Sequence, residues 1–370
     1  MSKIALCQDY LAQMGGAERV TEAIHQTLPN ADLHTTFAVP EKLSQYLSEA
    51  HPKTSWMQYL PSKAKLYRHY FLLYPFGIES MNLDAYDLIV SSCCGYSKGI
   101  KRRQGAVHVC YCHNPMRWVW RFQEYMAKES FSSTTKAALD FMVGGLKRWE
   151  MRAASRPDYY IANSHIVAER LRTAFGVHAE VIEPPIVTSR FKLRRDTEDY
   201  YLILSRLVPY KRIDLAIEAC TKTGRRLMVI GDGPERARLE SMAGPTVKFL
   251  GRQPDIVVSR HASRCRALIF PGEEDFGMAP LEINAAGRPV VAYGAGGATE
   301  TVIENLNGVL FGQQTVESLI QGLEKSESQT WDPAAIRRNA ERYDVSVFQN
   351  RMLDFLARVS PVIQEQRKIA

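Results

Sequence analysis

The sequence has no run of 18 uncharged apolar residues, no pair of CxxC motifs, no GxGxxG fingerprint, no solenoid-period repeat and no low-complexity tract. The first absence excludes a membrane-spanning helix, and the second excludes a four-cysteine zinc site. The third excludes the usual dinucleotide loop, and the last two exclude repeat arrays and disordered linkers. The N-terminus, "MSKIALCQDYL", has a strand-like run where a signal peptide would carry a long apolar core, so the chain is expected to be neither exported nor membrane-spanning, and cytoplasmic. Cysteine is sparse and odd in number: Cys7, Cys93, Cys94, Cys110, Cys112, Cys220 and Cys265. Cys110 and Cys112 are the one spacing of interest, and they lack a second ligand pair. Reduced, mostly buried thiols are the expectation.

What is present points to two ordinary domains. The chain has 370 residues, 45% of them hydrophobic, which is enough for two cores. Its net charge of +7 suits nucleic acid, an anionic membrane surface or a phosphorylated substrate, and selects none of them. Strand-like runs alternate with amphipathic segments: "KIALCQ", "YDLIVSS", "AVHVCYC" and "DYYIANS" in the first half, then "YYLILSRL", "RRLMVIGDG", "VKFLG", "RALIFPG", "PVVAYG" and "GVLFG" in the second. That alternation predicts parallel sheets with crossover helices. A proline-bearing, then charged stretch over residues 184–199 reads as the connection between the two domains. Near the end, Val347, Phe348, Met352, Phe355 and Leu356 fall on one helical face.

In open parallel sheets, ligands bind beyond the C-terminal ends of the strands, where helix N-termini favour anions. Three loops of this kind stand out. Gly15-Gly16 follow the first strand and open a helix; the pair either lets backbone approach a ligand or is a plain helix start. Arg206 and Lys211, in "LSRLVPYKRID", sit between a strand and a helix, as a diphosphate grip or as a solvated basic turn. In "EEDFGMAPLE", Glu274 precedes a helix that begins at the Phe276-Gly277 turn, and Glu282 lies in its second turn. The two acids either grip ribose and hexose hydroxyls or complement the helix dipole.

The motifs "GGAERV", "HNPMRWVW", "SRLVPYKRID", "GDGPE", "EEDFGMAPLE" and "GRPVVAYGAGGATETV", in this order along nearly the whole chain, resemble glycosyltransferase family 4, retaining enzymes that use nucleotide sugars, and within it the bacterial mannosyltransferase-like branch. The resemblance implies an α/β fold of GT-B type: two facing Rossmann-like domains, a central cleft and a C-terminal helix crossing back to the first domain. The expected divisions are 1–187 for the acceptor domain, 198–345 for the donor domain and 346–370 for the returning helix. It further implies Arg206 and Lys211 on the donor diphosphate, Glu282 on the ribose and Glu274 on the sugar. Gly15, Gly16 and the backbone N–H groups of Phe276, Gly277 and Met278 complete the donor site. His113, in "CYCHNP", matches the family's histidine facing the donor sugar, and with Glu274, Arg206 and Lys211 forms the expected catalytic set. No cofactor and no metal are expected, because the resemblance implies front-face attack by the acceptor with the departing phosphate oxygen as base. The Asp-x-Asp of metal-dependent transferases is missing, Glu273-Glu274-Asp275 being the nearest approach. One departure stands out: Trp120 is followed by Arg121, where the family often has an acid.

Residues 52–76 interleave Lys53, Lys63, Lys65 and Arg68 with Trp56, Tyr59, Tyr67, Tyr70, Phe71 and Tyr74, a mixture suited to an anionic membrane surface or to core packing beside a basic face. Lys98, Lys101, Arg102 and Arg103 form a second basic cluster. No nucleic-acid motif accompanies either, and nucleic acid is not expected as a partner. The leading expectation is transfer of a hexose, mannose from GDP-mannose, to a lipid-linked oligosaccharide or polysaccharide at the inner membrane face. Its rivals are a UDP-sugar donor, a nucleotide-sugar epimerase on the same fold, and a non-catalytic sugar- or nucleotide-binding protein.

Overall fold

A computed structural model describes residues 3–120, 122, 133–194 and 196–369; Arg121 lies outside the described residues. The chain forms two compact units, one of Met1–Glu183 with Gln349–Ala370, the other of Pro184–Phe348. Each is built on one parallel sheet.

The sheet of the first unit comprises β1 (Ile4–Gln8), β2 (Asp32–Thr35), β3 (Lys53–Thr54), β4 (Leu88–Cys93), β5 (Val107–Cys112), β6 (Tyr159–Ala162) and β7 (Ala179–Val181), in the order β3-β2-β1-β4-β5-β6-β7. β1 and β4 are buried along their whole length, which is why their sequences read as near-continuous apolar runs. The sheet of the second unit comprises β8 (Tyr201–Leu204), β9 (Leu227–Ile230), β10 (Val247–Gly251), β11 (Leu268–Phe270), β12 (Val290–Tyr293) and β13 (Gly308–Phe311), in the order β10-β9-β8-β11-β12-β13. In each sheet the order turns back once, between β1 and β4 and between β8 and β11. A crevice opens at such a point because the connections on either side leave in opposite directions.

Residues 184–194 and 196–199 are built into the second unit. Ile186 and Phe191 are buried in its core, the Ile186 N–H donates to Tyr343 O at 2.9 Å, and the Val345 N–H donates to Ile186 O at 3.0 Å. The chain rejoins the first unit through the helix Val345–Val359. Met352, Phe355 and Leu356 are buried, and the Phe355 ring meets the Tyr159 ring edge-on, centroids 6.4 Å apart. Arg358 bonds Glu180 at 2.7 Å, and Arg351 pairs with Glu183. Val347 is 36% exposed and does not belong to the apolar face expected of it.

The second basic cluster of the sequence is not a basic surface. Lys98 is fully buried and pairs with the equally buried Glu150 at 2.6 Å. Lys101 pairs with Glu79, Arg102 with Asp158 and Arg103 with Asp87, so each cation meets an acid brought in by the fold. Glu150 also accepts from the Met116 N–H and from Trp120 Nε1, both at 2.9 Å, and so ties the segment after His113 to the helix Ser133–Ala153. Removing one member of a buried pair strands the other charge. Glu150→Ala is expected to lower unfolding free energy in urea by about 3–5 kcal/mol, whereas Glu169→Ala, which breaks an exposed pair with Arg172, should shift the midpoint little.

Candidate active site

In the second unit, β8 and β11 are neighbours, Leu202 opposite Leu268, although some 60 residues separate them in sequence. The loops leaving their C-terminal ends therefore meet. Past β8 the exposed Arg206 is followed by a tight turn over Pro209–Lys211; past β11 runs Pro271-Gly272-Glu273-Glu274. The Lys211 ammonium pairs directly with the Glu274 carboxylate, their side chains only 14% and 18% exposed. Burial works against the lysine charge, but the carboxylate beside it holds the Lys211 pKa above its ordinary value.

Backbone contacts fix this pair. A β-carbon at Gly272 would stand 2.7 Å from Lys211 Cα, so only glycine allows the loops to cross here. On the far side, Gly296 has φ +65° and would place a β-carbon 2.3 Å from Glu274 O, while the Gly297 N–H donates to that oxygen at 2.8 Å. The "GAGG" of the sequence is thus the clamp that holds the Glu274 backbone. The Phe276 ring is buried against Tyr343, leaving its main chain to lead into the helix Met278–Ala285. Gly277 caps that helix with φ +87°, and Glu282 sits half-buried in the second turn. The structure brings Lys211 and Glu274 together, sets Phe276, Gly277, Met278 and Glu282 on the element that follows, and leaves Arg206 exposed past β8, outside that pair. A cation, an acid and a helix N-terminus converging at strand ends suit a ligand with both phosphate and hydroxyl groups.

In the first unit the corresponding ends carry polar groups that sequence reasoning passed over. Asp9, one residue past β1, accepts from the N–H groups of Cys94, Tyr96 and Ser97 at 3.0, 3.1 and 2.6 Å, which fixes the loop after β4. Gly15 caps the helix Gly16–Thr27 with no side chain of its own; Glu18, buried, accepts from the Gly15 N–H at 2.9 Å. Gly16 is exposed at the helix start. His113 is half-buried one residue past β5; its N–H donates to Cys93 O at 2.8 Å, and its Nε2 lies 2.9 Å from Ser92 Oγ. Glu18 lies inside the quoted "GGAERV", and Asp9 directly follows "KIALCQ". An acid at the end of an apolar strand was the signal available for Asp9, and an acid in the first turn of a helix that of Glu18.

One group of residues has the composition of a metal site. The sulfurs of Cys93, Cys110 and Cys112 lie within 4.8 Å of one another, because Cys93 of β4 stands beside Cys112 of β5. The sequence spacing of Cys110 and Cys112 did not disclose the third. All three are buried and packed with Tyr160, Ala162, Val167 and Leu171, and burial raises the Cys110 thiol pKa. At Cys93 burial is outweighed by the sulfur contacts with Cys110 and Cys112 and by the nearby Lys98 ammonium, which hold that thiol well below its ordinary range, so the three sulfurs share a core without sharing one character.

Solved structures share the fold across almost the whole chain: sucrose-phosphate synthase from Thermosynechococcus elongatus matches with TM-score 0.71 at 18% identity, covering 97% of this chain and 99% of that one. Anabaena HepE in complex with UDP and glucose matches with TM-score 0.70 at 19% identity, over 97% and 100%. The fold class is therefore α/β of GT-B type. The family profile described as Glycosyltransferase Family 4 matches residues 14–190, and the one described as Glycosyl transferases group 1 matches residues 186–343. The chain belongs to glycosyltransferase family 4. Among curated relatives, the GDP-mannose-dependent alpha-(1-6)-phosphatidylinositol monomannoside mannosyltransferase of Mycolicibacterium smegmatis is 30% identical over 188 residues, 42% of this chain. The chain spans less than half the length of the curated relatives it matches, 49% for this one.

Burial pushes the Glu18 pKa up to about 7, against the pull of the Gly15 N–H. A carboxyl whose folded pKa is raised contributes stability that is complete below its unfolded pKa and is lost as pH rises through the folded one. Glu18→Gln keeps the acceptor for Gly15 and cannot ionise. Relative to wild type, its unfolding free energy should rise between pH 4.5 and about 7, by up to roughly 3 kcal/mol, and level off above. Denaturant titrations at a series of pH values measure this.

Proposed function

We propose that the chain is a retaining glycosyltransferase that moves mannose from GDP-mannose to a hydroxyl of a lipid-linked oligosaccharide or polysaccharide, working at the cytoplasmic face of a membrane. The observation that carries this reading is the Lys211–Glu274 pair at the turning point of the second sheet, beside the N-terminus of Met278–Ala285. It supplies opposite charges to the two halves of a nucleotide sugar. Lys211 and Arg206 take the diphosphate and stabilise the charge that grows on it as the glycosidic bond breaks. Glu274 accepts hydrogen bonds from the sugar hydroxyls, and Glu282 from the ribose. His113 is assigned to the donor sugar, and Gly15-Gly16 to a backbone approach.

The transfer step balances without an enzyme nucleophile. The acceptor oxygen bonds to the anomeric carbon on the face from which the phosphate oxygen departs, and that oxygen takes the acceptor's proton. Lys211 and Glu274 neutralise each other, and a bound donor exchanges that one internal pairing for two of its own. That exchange keeps a cation and an acid half-buried without leaving either charge alone.

Support for mannose comes from the relatives whose printed names are GDP-mannose-dependent. Support for a membrane comes from residues 50–78, which contain no acid and expose Tyr59 (88%), Phe76 (68%) and Trp56 (42%) beside Lys63, Lys65 and Arg68. The remaining aromatics of that segment, Tyr67, Tyr70, Phe71 and Tyr74, pack against the core of the first unit. No helix among the described residues is long and apolar enough to cross a membrane.

Thermal or chemical unfolding with GDP-mannose, GDP-fucose, UDP-glucose, UDP-N-acetylglucosamine and NAD tests the donor. At about 100 times its dissociation constant a ligand stabilises by roughly 2.7 kcal/mol. GDP-mannose is expected to stabilise and the UDP-sugars not. A UDP-sugar response alone would overturn the donor assignment, and the complex of Anabaena HepE with UDP and glucose makes that the arm to watch.

A further inference from the structure

Near the C-terminal ends of β4 and β5 three sulfurs meet, and the transfer reaction uses none of them. Cys110 and Cys112 stand two residues apart on β5 and so share one face of the sheet. Cys93, the last residue of β4, is the register partner of Cys112 and puts the third sulfur on that face. All three side chains are buried, and their sulfurs lie within 4.8 Å of one another. With the metal–sulfur distance of about 2.3 Å seen at zinc, a flat three-sulfur site spaces its ligands about 4 Å apart. The fold has brought the donors to ligating range.

The donor set selects the ion. Among the described residues the group has three members, all thiols, whereas a structural zinc site takes four ligands. Three soft sulfurs with no nitrogen or carboxylate among them favour Cu(I). Val167 and Leu171 pack with the three cysteines and give the apolar cover that keeps water from the ion. An ion here displaces the thiol protons to solvent, since a coordinating thiol is deprotonated outright. The Lys98 N–H donates to Cys93 Sγ at 3.4 Å, and the buried Lys98 ammonium favours the thiolate there. Cys94, the next residue along, is exposed and offers the ion a first ligand on its way in. We propose that Cys93, Cys110 and Cys112 form a three-thiolate site for Cu(I). The site needs nothing from the transferase reading, but it bears on the loop after β5. Cys112 Sγ donates to Asn114 O at 3.4 Å, and Asn114 follows His113. Ligation removes that proton and leaves a thiolate against a carbonyl oxygen, so Cu(I) loosens the start of the loop.

Cu(I) itself is the probe, titrated without oxygen into the reduced full-length protein against a copper-binding chelator. Wild type should take up one ion per chain, and X-ray absorption of the loaded protein should show three sulfur neighbours and no nitrogen. Cys93→Ala and Cys110→Ala should each weaken binding by at least the roughly ten- to hundredfold that outer partners of a metal ligand are worth. Cys94→Ser should slow loading and leave the equilibrium affinity unchanged. Binding lost in Cys94→Ser and kept in Cys110→Ala would overturn the site. Nitrogen, or fewer than three sulfurs, around the ion in wild type would overturn it too, and that spectrum decides even where a buried variant does not fold. Cys112→Ser keeps a donor for Asn114 O and gives up the soft ligand. Hydrogen exchange over residues 113–116 should quicken when wild type is loaded and stay constant in Cys112→Ser. Constant exchange in loaded wild type would overturn the link to the loop.

Discussion

The ion pair between Lys211 and Glu274 is the contact around which the second unit is arranged. Neither residue reaches the other through local sequence. Their meeting depends on β8 and β11 lying side by side, which is the point where the strand order β10-β9-β8-β11-β12-β13 turns back. It depends equally on backbone crossings that tolerate no β-carbon, at Gly272 under Lys211 and at Gly296 over Glu274. A half-buried lysine and glutamate are costly alone and tolerable together, and their pairing neutralises both charges. The same residues carry the charges that a diphosphate and a set of sugar hydroxyls would meet.

The first unit solves a related problem with buried acids and hydroxyls. At the ends of β1, β4 and β5, Asp9 takes three backbone N–H groups, Glu18 holds the Gly15 N–H, and the chain from Gln8 through Thr21 and Ser92 reaches His113. Farther along, Glu150 gathers Lys98, Met116 and Trp120. Apart from the local Glu18–Gly15 bond, these partnerships include contacts between elements that are distant in sequence. Rigidity at strand ends is what lets loops carry chemistry, because position is set by the sheet and conformation by these bonds.

Much of this was legible in the sequence. The six strands of the second half correspond to β8–β13, because strands largely buried on both faces must be apolar, the edge strand β10 with its exposed Lys248 excepted. In the first half β1, β4, β5 and β6 were visible for the same reason, while β2, β3 and β7 were not: β2 carries His34 and Thr35 where an apolar run would be expected, and β3 and β7 are edge strands of two and three residues. Motifs with glycine and paired charges announced Lys211 and Glu274. The support behind His113 was silent, since Gln8, Thr21 and Ser92 are ordinary residues until the topology aligns them. Lys98 misled for the converse reason: a lysine beside three other cations reads as surface, and only the fold supplies Glu150 at 2.6 Å. Burial of charge is a property of tertiary partners, which no local window contains.

Calorimetric binding of GDP and of GDP-mannose to wild type, Lys211→Ala and Glu274→Ala tests most directly whether this pair divides the donor between them. The account predicts that Lys211→Ala weakens both ligands alike, by about tenfold or more, because both carry the diphosphate. Glu274→Ala should weaken GDP-mannose while leaving GDP equal to or tighter than wild type, since the lysine is freed from its internal partner. Equal losses for both ligands in both variants, or no loss in either, would contradict the assignment of Glu274 to the sugar and Lys211 to the phosphates.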